Sequence, residues 1–345
     1  MKKMIKKDLI KTILSLLFTL IFIIFISLDS SKDKEVFGTV TFVSGNVNII
    51  KFNSNESINL KINTIILLGD TIETFKESKA EILLTDNKTR LIIMENTKVK
   101  LSSLINPEKQ KQTIISIFFG TINSIVQKLT GSSIYVIQTP NGSASVRGTE
   151  FSVSVSDTID TCISVTDGTV SYQKEEDAQS FNIYQNQYCI SEIDKTPQVS
   201  EGAFDNQSWL NDINSQFEQN SQNKSAYIAS NLINIVKTIA TLIYSVKEFA
   251  ENSLIYKLLT RRLTPFDIAQ FFAQKGGLLT KVYNLYYRLN LYDTIVLGFY
   301  RFFDFLSKYN DDFIEQKERC WQAHLELSSW INKVLEIYRT IWFFY

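Results

Sequence analysis

The stretch Thr139-Pro140-Asn141-Gly142-Ser143-Ala144-Ser145-Val146-Arg147-Gly148-Thr149-Glu150-Phe151 decides the fold class of this chain. A proline, two glycines and a run of small residues specify a tight chain path, and the β-rich segments beside it must pair with something. Ser133 to Gln138 precedes it. Phe151 to Val155, Cys162 to Thr166 and Thr169 to Gln173 follow, the last two parted by the turn Asp167-Gly168. Outward from there, Val36 to about Ile193 keeps one pattern. Segments such as Gly38-Thr39-Val40-Thr41-Phe42-Val43-Ser44-Gly45 alternate apolar with polar or small residues, as half-buried strands do. Further strands are expected at Ala80 to Thr85, Arg90 to Met94, Lys98 to Leu101 and Thr113 to Val126, with turns at Gly69-Asp70, Thr85-Asp86-Asn87 and Asn141-Gly142. Many short strands with regular turns predict an all-β module over residues 36–193. Gly120 to Leu129 can also be read as helix.

Beyond it the pattern changes twice. Residues 194–224 are rich in Ser, Asn, Gln and Asp and read as a polar linker. Then Ile228, Leu232, Ile235, Ile239, Leu242, Val246 and Phe249 recur at steps of four and three, the stripe of an amphipathic helix. Thr264-Pro265-Phe266-Asp267 is a helix start, with Thr264 as N-cap, and Gly276-Gly277 is expected to stop that helix. Phe313, Cys320, His324, Leu327, Ile331, Val334, Tyr338 and Ile341 form a further stripe. Residues 225–345 are thus expected to be an all-helical domain. Tyr227 to Val246 reads as amphipathic rather than as a membrane span, because Asn231, Asn234 and Lys237 sit in its middle and a central lysine costs roughly 3 kcal/mol on insertion. The aromatics of this domain, Phe271, Phe272, Tyr286, Phe302 and Phe303 among them, read first as core and second as a surface lying on a membrane.

At 345 residues the chain is long enough for two modest domains. Lys plus Arg and Asp plus Glu balance at 36 each, but residues 1–11 hold five lysines against one acid, Asp8. No basic stripe of the kind that binds phosphates follows, so nucleic-acid binding is not expected. From Thr12 to Leu28 there is no charge, and Leu, Ile and Phe dominate. A lysine-rich start before an uncharged segment is a signal anchor or a signal peptide. Ser27-Leu28-Asp29-Ser30-Ser31 is a poor cleavage site, which favours a retained anchor with residues 1–11 as a cytoplasmic tail. Three cysteines are too few for a disulfide scaffold. Cys162 and Cys189 could be joined if they lie on neighbouring strands, and three buried thiols is the alternative.

Residues 38–171 resemble the FecR-type domain, named for the iron-dicitrate regulator of bacterial envelopes. The resemblance runs through Gly38-Thr39-Val40, Gly45-Asn46-Val47, Leu68-Gly69-Asp70-Thr71-Ile72-Glu73-Thr74 and Ala80-Glu81-Ile82-Leu83-Leu84-Thr85-Asp86. It closes with Thr139-Pro140, Val146-Arg147-Gly148-Thr149-Glu150-Phe151 and Val165-Thr166-Asp167-Gly168-Thr169-Val170. It implies a β-rich periplasmic module acting by protein contact in signal transduction, without catalysis. In the best-known members a cytoplasmic domain holds a sigma factor. Here the inside segment is about eleven residues, too short for that, so a cytoplasmic anti-sigma domain is not expected.

The motif residues read as fold-specifying. Gly69, Gly148 and Gly168 supply positive φ or close approach at turns, and Asp70 and Asp167 hold those turns through backbone N–H groups. Thr139, Pro140, Thr149 and Phe151 frame the central turn. Arg147 clamps a carbonyl or carboxylate within the fold, or else meets an anionic ligand. A nucleophile–base pair would have to use His324, the single histidine, which lies on an apolar stripe and reads as a core residue beside Cys320. Glu175-Glu176-Asp177 reads as a solvated loop. With no Walker or dinucleotide motif and no CxxC, no catalytic, cofactor or metal site and no small-molecule substrate is expected. The expected partners are the membrane, through residues 12–28, and another envelope protein. The alternative is an envelope scaffold that docks on polymer or lipid through its helical domain.

Overall fold

The computed structural model describes residues 36–343 apart from positions 53, 55, 87, 106–110, 128–133, 147, 175–178 and 261. The expected anchor at 12–28, Arg147 and the acidic run at 175–177 lie outside the described residues. Elements are numbered in chain order.

Two sheets share one long strand. The first runs β4 (Ile65–Leu67), β1 (Val36–Ser44), β6 (Lys79–Leu84), β7 (Arg90–Ile93), β9 (Lys111–Ile125), β12 (Glu150–Val155), β13 (Thr161–Asp167), β16 (Gln187–Ser191) and β17 (Gln198–Glu201). The second runs β3 (Ser57–Asn59), β2 (Val47–Ile50), β5 (Thr71–Thr74), β8 (Thr97–Ile105), β9 again, β10 (Ile134–Thr139), β11 (Gly142–Val146), β14 (Thr169–Lys174) and β15 (Ser180–Tyr184). Every described pairing is antiparallel except β9 with β10.

β9 joins the sheets because it bends at Gly120. Up to Phe119 it pairs with β8 and β10; from Gly120 it pairs with β12, and from Ile122 with β7. Gly120 has φ +92°, and a Cβ there would lie 2.3 Å from Thr97 Oγ1. Only glycine fits such a corner. The stretch that could be read as helix is therefore strand as far as Ile125. Alternation does the rest: Ala80, Ile82 and Leu84 on β6 face inward with their β7 and β1 neighbours, and the inner faces close over a single apolar core.

Residues 194–224, expected as a linker, hold β17, the whole of α1 (Asn206–Ser215) and the start of α2 (Phe217–Glu251). Asp205 explains the start of α1, since its carboxylate accepts from Gln207 and Ser208 N–H at 3.0 and 3.2 Å. Polar composition hid these elements because most of their residues do face solvent. α3 (Ser253–Leu259), α4 (Pro265–Leu306) and α5 (Ile314–Phe343) complete the helical region. α2 is long and apolar enough to cross a membrane, but Ile228, Ile239, Leu242, Val246 and Phe249 on it are buried in the helical core.

The start of α4 is the one read from sequence. Thr264 Oγ1 accepts from Asp267 N–H at 3.2 Å, and the Asp267 carboxylate accepts from Thr264 N–H at 2.8 Å, a reciprocal capping box. Its end is not. Gly276-Gly277 fails to stop it, because Phe271, Leu279, Val282 and Tyr286 continue one buried stripe in register through the pair. Two glycines lower helix stability by about 1 kcal/mol each relative to alanine. A single fully buried apolar side chain contributes roughly 1.5–3 kcal/mol. Packing wins.

Candidate interaction seam between sheets and helices

α4 changes character along its length. Near its start one side is buried and the other solvated, whereas from Leu289 to Phe299 it is enclosed on nearly every side. A helix apolar all round belongs inside a protein. This stretch lies between the β-module, through β9 and β10, and the helices α2 and α5.

The turn Thr139–Gly142 abuts it. A Cβ added to Gly298 would fall 2.6 Å from both Cβ and Cγ of Pro140, so glycine lets the helix touch the turn. Gln138 Nε2 donates to the carbonyl of Tyr287 at 3.3 Å, and Asn141 Nδ2 donates to the carbonyl of Ser191 at 2.6 Å, tying the turn to β16. Thr139 Oγ1 accepts from Thr161 Oγ1 at 3.1 Å and from Asn141 N–H at 3.3 Å.

The hairpin between β12 and β13 forms the second contact. Ile159, at φ +71° and buried, leaves the sheet and packs in the helical core, as does Ile193. A β-branched residue in the left-handed region is strained, and that conformation persists only where surrounding contacts over-determine it. Here they do. Asp157 accepts from Arg301 Nε at 2.9 Å, and the Arg301 guanidinium lies between the rings of Phe119 and Phe305, 4.2 and 4.5 Å from their centroids. Asp157 N–H donates to Asn214 Oδ1 on α1 at 2.9 Å. Asp160, fully buried, accepts from Lys224 Nζ on α2, from Thr158 Oγ1 at 2.8 Å and from Ile193 N–H at 3.1 Å. Burial raises the Asp160 carboxyl above the usual carboxylate range, and Lys224 only partly offsets it.

A third contact joins three elements. Asp293 on α4 accepts from Lys100 Nζ on β8 at 3.4 Å and is 2.6 Å from His324 Nδ1 on α5. Burial alone would push the Asp293 carboxyl up, but Lys100 and then His324 outweigh it and hold it below the usual range. Lys100 together with the His324 imidazole separates this case from Asp160, which has Lys224 alone.

His324 is therefore a polar contact at the seam, not a member of the apolar core. It does not assemble a catalytic site with Cys320, whose thiol burial pushes up to about 12. Among the described residues no group of three or more His, Cys, Asp or Glu is placed to hold a metal. Cys162 and Cys189 are free. Cys162 stands opposite Ile190 and Cys189 opposite Ile163, so on adjacent strands the two side chains point to opposite faces of the sheet. The strands are neighbours, and the three cysteines are buried thiols.

The remaining motif residues sit inside the module. Asp70, buried, accepts from Lys51 Nζ at 2.7 Å and from Leu67 and Phe52 N–H at 3.0 and 3.3 Å. Gly69 has φ +90° with the Phe52 ring against it. Gly148 and Gly168 both have positive φ, and Thr149 Oγ1 donates to the carbonyl of Thr169 at 3.1 Å beside them. Phe151 is buried edge-on to Tyr135, whereas Asp167 is exposed.

The sequence profile described as FecR protein matches residues 70–171. The chain carries a FecR domain. Its matched residues include Lys100, Pro140, Asp157, Ile159 and Asp160, so the seam is built on the FecR domain itself. No curated protein matches the chain significantly. Two crystal structures of a candidate anti-sigma factor from Parabacteroides distasonis ATCC 8503, at 1.65 and 2.50 Å resolution, are similar to it. The first is 16% identical with a TM-score of 0.34, over 41% of this chain and 64% of that one; the second is 15% identical with a TM-score of 0.33, over 38% and 59%. The chain thus spans less than two thirds of the length of these relatives.

Sequence reading missed Lys100, Asp157, Asp160, Lys224, Asp293 and Arg301. One signal was present: Leu289-Asn290-Leu291-Tyr292-Asp293-Thr294-Ile295-Val296-Leu297-Gly298-Phe299 is an apolar run holding a lone acid and a lone glycine. A buried acid needs a partner, and a glycine in a buried helix needs a close neighbour.

Proposed function

We propose that this protein is a non-enzymatic signalling or regulatory protein of the bacterial envelope. In this reading residues 12–28 anchor it once in the inner membrane, the bulk lies in the periplasm, and the FecR domain binds another envelope protein. The FecR match over residues 70–171 carries the proposal. The seam supports contact rather than catalysis, since its charged groups are spent on one another. The opposite edge of the first sheet supports an open contact surface. There Phe42, Ile62 and Ile65, on and beside β1 and β4, are about half exposed. They lie at the edge of the sheet remote from β12 and β13, which the helices cover.

The test is photo-crosslinking in cells of the full-length protein with the probe at Ile62, followed by mass spectrometry. A discrete membrane-protein adduct at Ile62, lost in the Ile65→Ser variant, is the expected result. Adducts that form only with the probe at Phe266 would move the contact to the helical region and overturn the assignment.

A further inference from the structure

Beyond residue 171, where the FecR match ends, β16 and β17 close one edge of the first sheet. Cys189 on β16 lies in the core, so Tyr188 and Ile190 point to the outer face, and Glu192 continues their alternation. Register sets Ser200 opposite Tyr188 and Gln198 opposite Ile190 on that same face. These five side chains, with Lys195 and Thr196 from the connecting loop, line one cavity of about 180 Å³.

Its walls are pinned. Lys174 Nζ, nearly buried, donates to the carbonyls of Glu192, Ile193 and Lys195 at 3.1, 2.8 and 2.6 Å, which fixes the loop. Asp160 holds Ile193 N–H from the other side. The Tyr188 ring is stacked on Phe204 with centroids 4.1 Å apart. Supports of this kind set the shape of a site before any ligand arrives.

The lining identifies the ligand. Its one acid and one base, Glu192 and Lys195, pair at 2.8 Å, so the cavity carries no net charge and favours a neutral guest. A metal ion would find a single carboxylate there. A purely apolar ligand would strip water from the Tyr188, Thr196 and Ser200 hydroxyls and the Gln198 amide, which bond to no described residue. Hydroxyls and an amide both donate and accept, as sugar hydroxyls do, while Tyr188 and Ile190 offer apolar surface to the C–H face of a ring. Drug-sized ligands fill roughly 300–1,000 Å³, so this smaller cavity suits one sugar ring. β17 is exposed along its whole length, which leaves a chain of such rings free to continue past it.

We infer that the cavity between β16 and β17 is a saccharide subsite, holding one ring of an uncharged oligosaccharide chain. The inference does not rest on the contact at Ile62, which lies at the opposite edge of the first sheet.

The test is saturation-transfer NMR on the full-length protein in a sugar-free detergent, with chitotetraose, cellotetraose and maltotetraose as probes. At least one tetramer should receive saturation at its ring C–H protons. Gln198→Ala/Ser200→Ala should weaken its Kd by about tenfold, the size expected for two lost hydrogen bonds. Tyr188→Phe, which keeps the stack on Phe204, should weaken it severalfold. Both variants spare the core, and an unchanged thermal melt confirms their fold. No transfer to any tetramer overturns the inference, as does the same Kd in the native chain and the double variant. A photo-crosslinking probe at Ser200 that captures a protein in cells also overturns it, since β17 would then be an edge for an added strand. Saturation transfer without an Ile62 adduct would fault the protein contact alone.

Discussion

The two cores of this molecule are not equivalents. Among the described residues, the core between the sheets is made of residues from Phe37 to Cys189, with none from a helix. The helical core takes in Ile159 and Ile193 from the β-module, with Phe52 packed against it. One core closes on itself; the other is completed by its neighbour. The difference follows from local geometry. Paired strands satisfy one another's backbone groups and enclose a volume between two faces, whereas long helices expose an apolar stripe that must find a cover. The sheets supply that cover through Ile159 and Pro140.

The largest expected effect is on the isolated parts. Residues 36–201 should unfold cooperatively, while residues 202–345 should retain helical far-UV signal without a cooperative melt. Calorimetry of the two fragments checks this. A sharp transition in the helical fragment would show that its core needs no cover, and the asymmetry would be wrong. Next in size is Asp160→Ala, which leaves Lys224 in the seam with only the half-buried Glu192 carboxylate, 4.0 Å away. Leaving one member of a buried ion pair costs about 3–5 kcal/mol, and the loss should fall on helix docking. Hydrogen exchange should therefore rise in α1 and α2 while β6 and β9 stay protected. Uniform loss of protection would mean that the two cores unfold as one.

Asp160 and Asp293 give opposite pH signs. The folded state holds the Asp293 carboxyl below its unfolded range, near 3.9. Its contribution is therefore fully present above that value and is lost as pH falls toward its lower folded pKa. Asp160 is raised, so its contribution is present below the unfolded value and lost as pH rises through the folded one. Denaturant midpoints measured from pH 6 to pH 3 should fall less steeply in Asp293→Asn than in the native chain. The same slope in both would mean that Lys100 and His324 do not hold Asp293 ionised.

The β-module was legible because its signals are local. Alternation shows in any six residues of β6, and the Asp70 and Gly168 turns carry their own stabilising groups within a few positions or on the next strand. The start of α4 was legible for the same reason, as Thr264 and Asp267 cap it reciprocally. Register across strands was not: nothing near Cys162 says that Ile190, rather than Cys189, stands opposite. The seam was hidden most, since Lys100 and Asp293 lie 193 positions apart and each alone resembles an ordinary surface charge. Gly276-Gly277 misled because a propensity was weighed without the stripe that crosses it.

α4 carries a last comparison within one helix. Gly298 lies against Pro140, with no room for a methyl group, whereas a Cβ at Gly277 would meet nothing within 4 Å. Gly298→Ala must push the helix from the turn, and overpacking of this kind costs about 1–3 kcal/mol. Gly277→Ala removes a flexible residue from an exposed helix interior and should stabilise it by about 1 kcal/mol. Thermal unfolding of the two variants should thus shift in opposite directions. If Gly277→Ala destabilises the chain, something approaches that face closely, and it is covered rather than free. If Gly298→Ala is neutral, the turn and helix are not in contact, and the seam rests on its ion pairs alone.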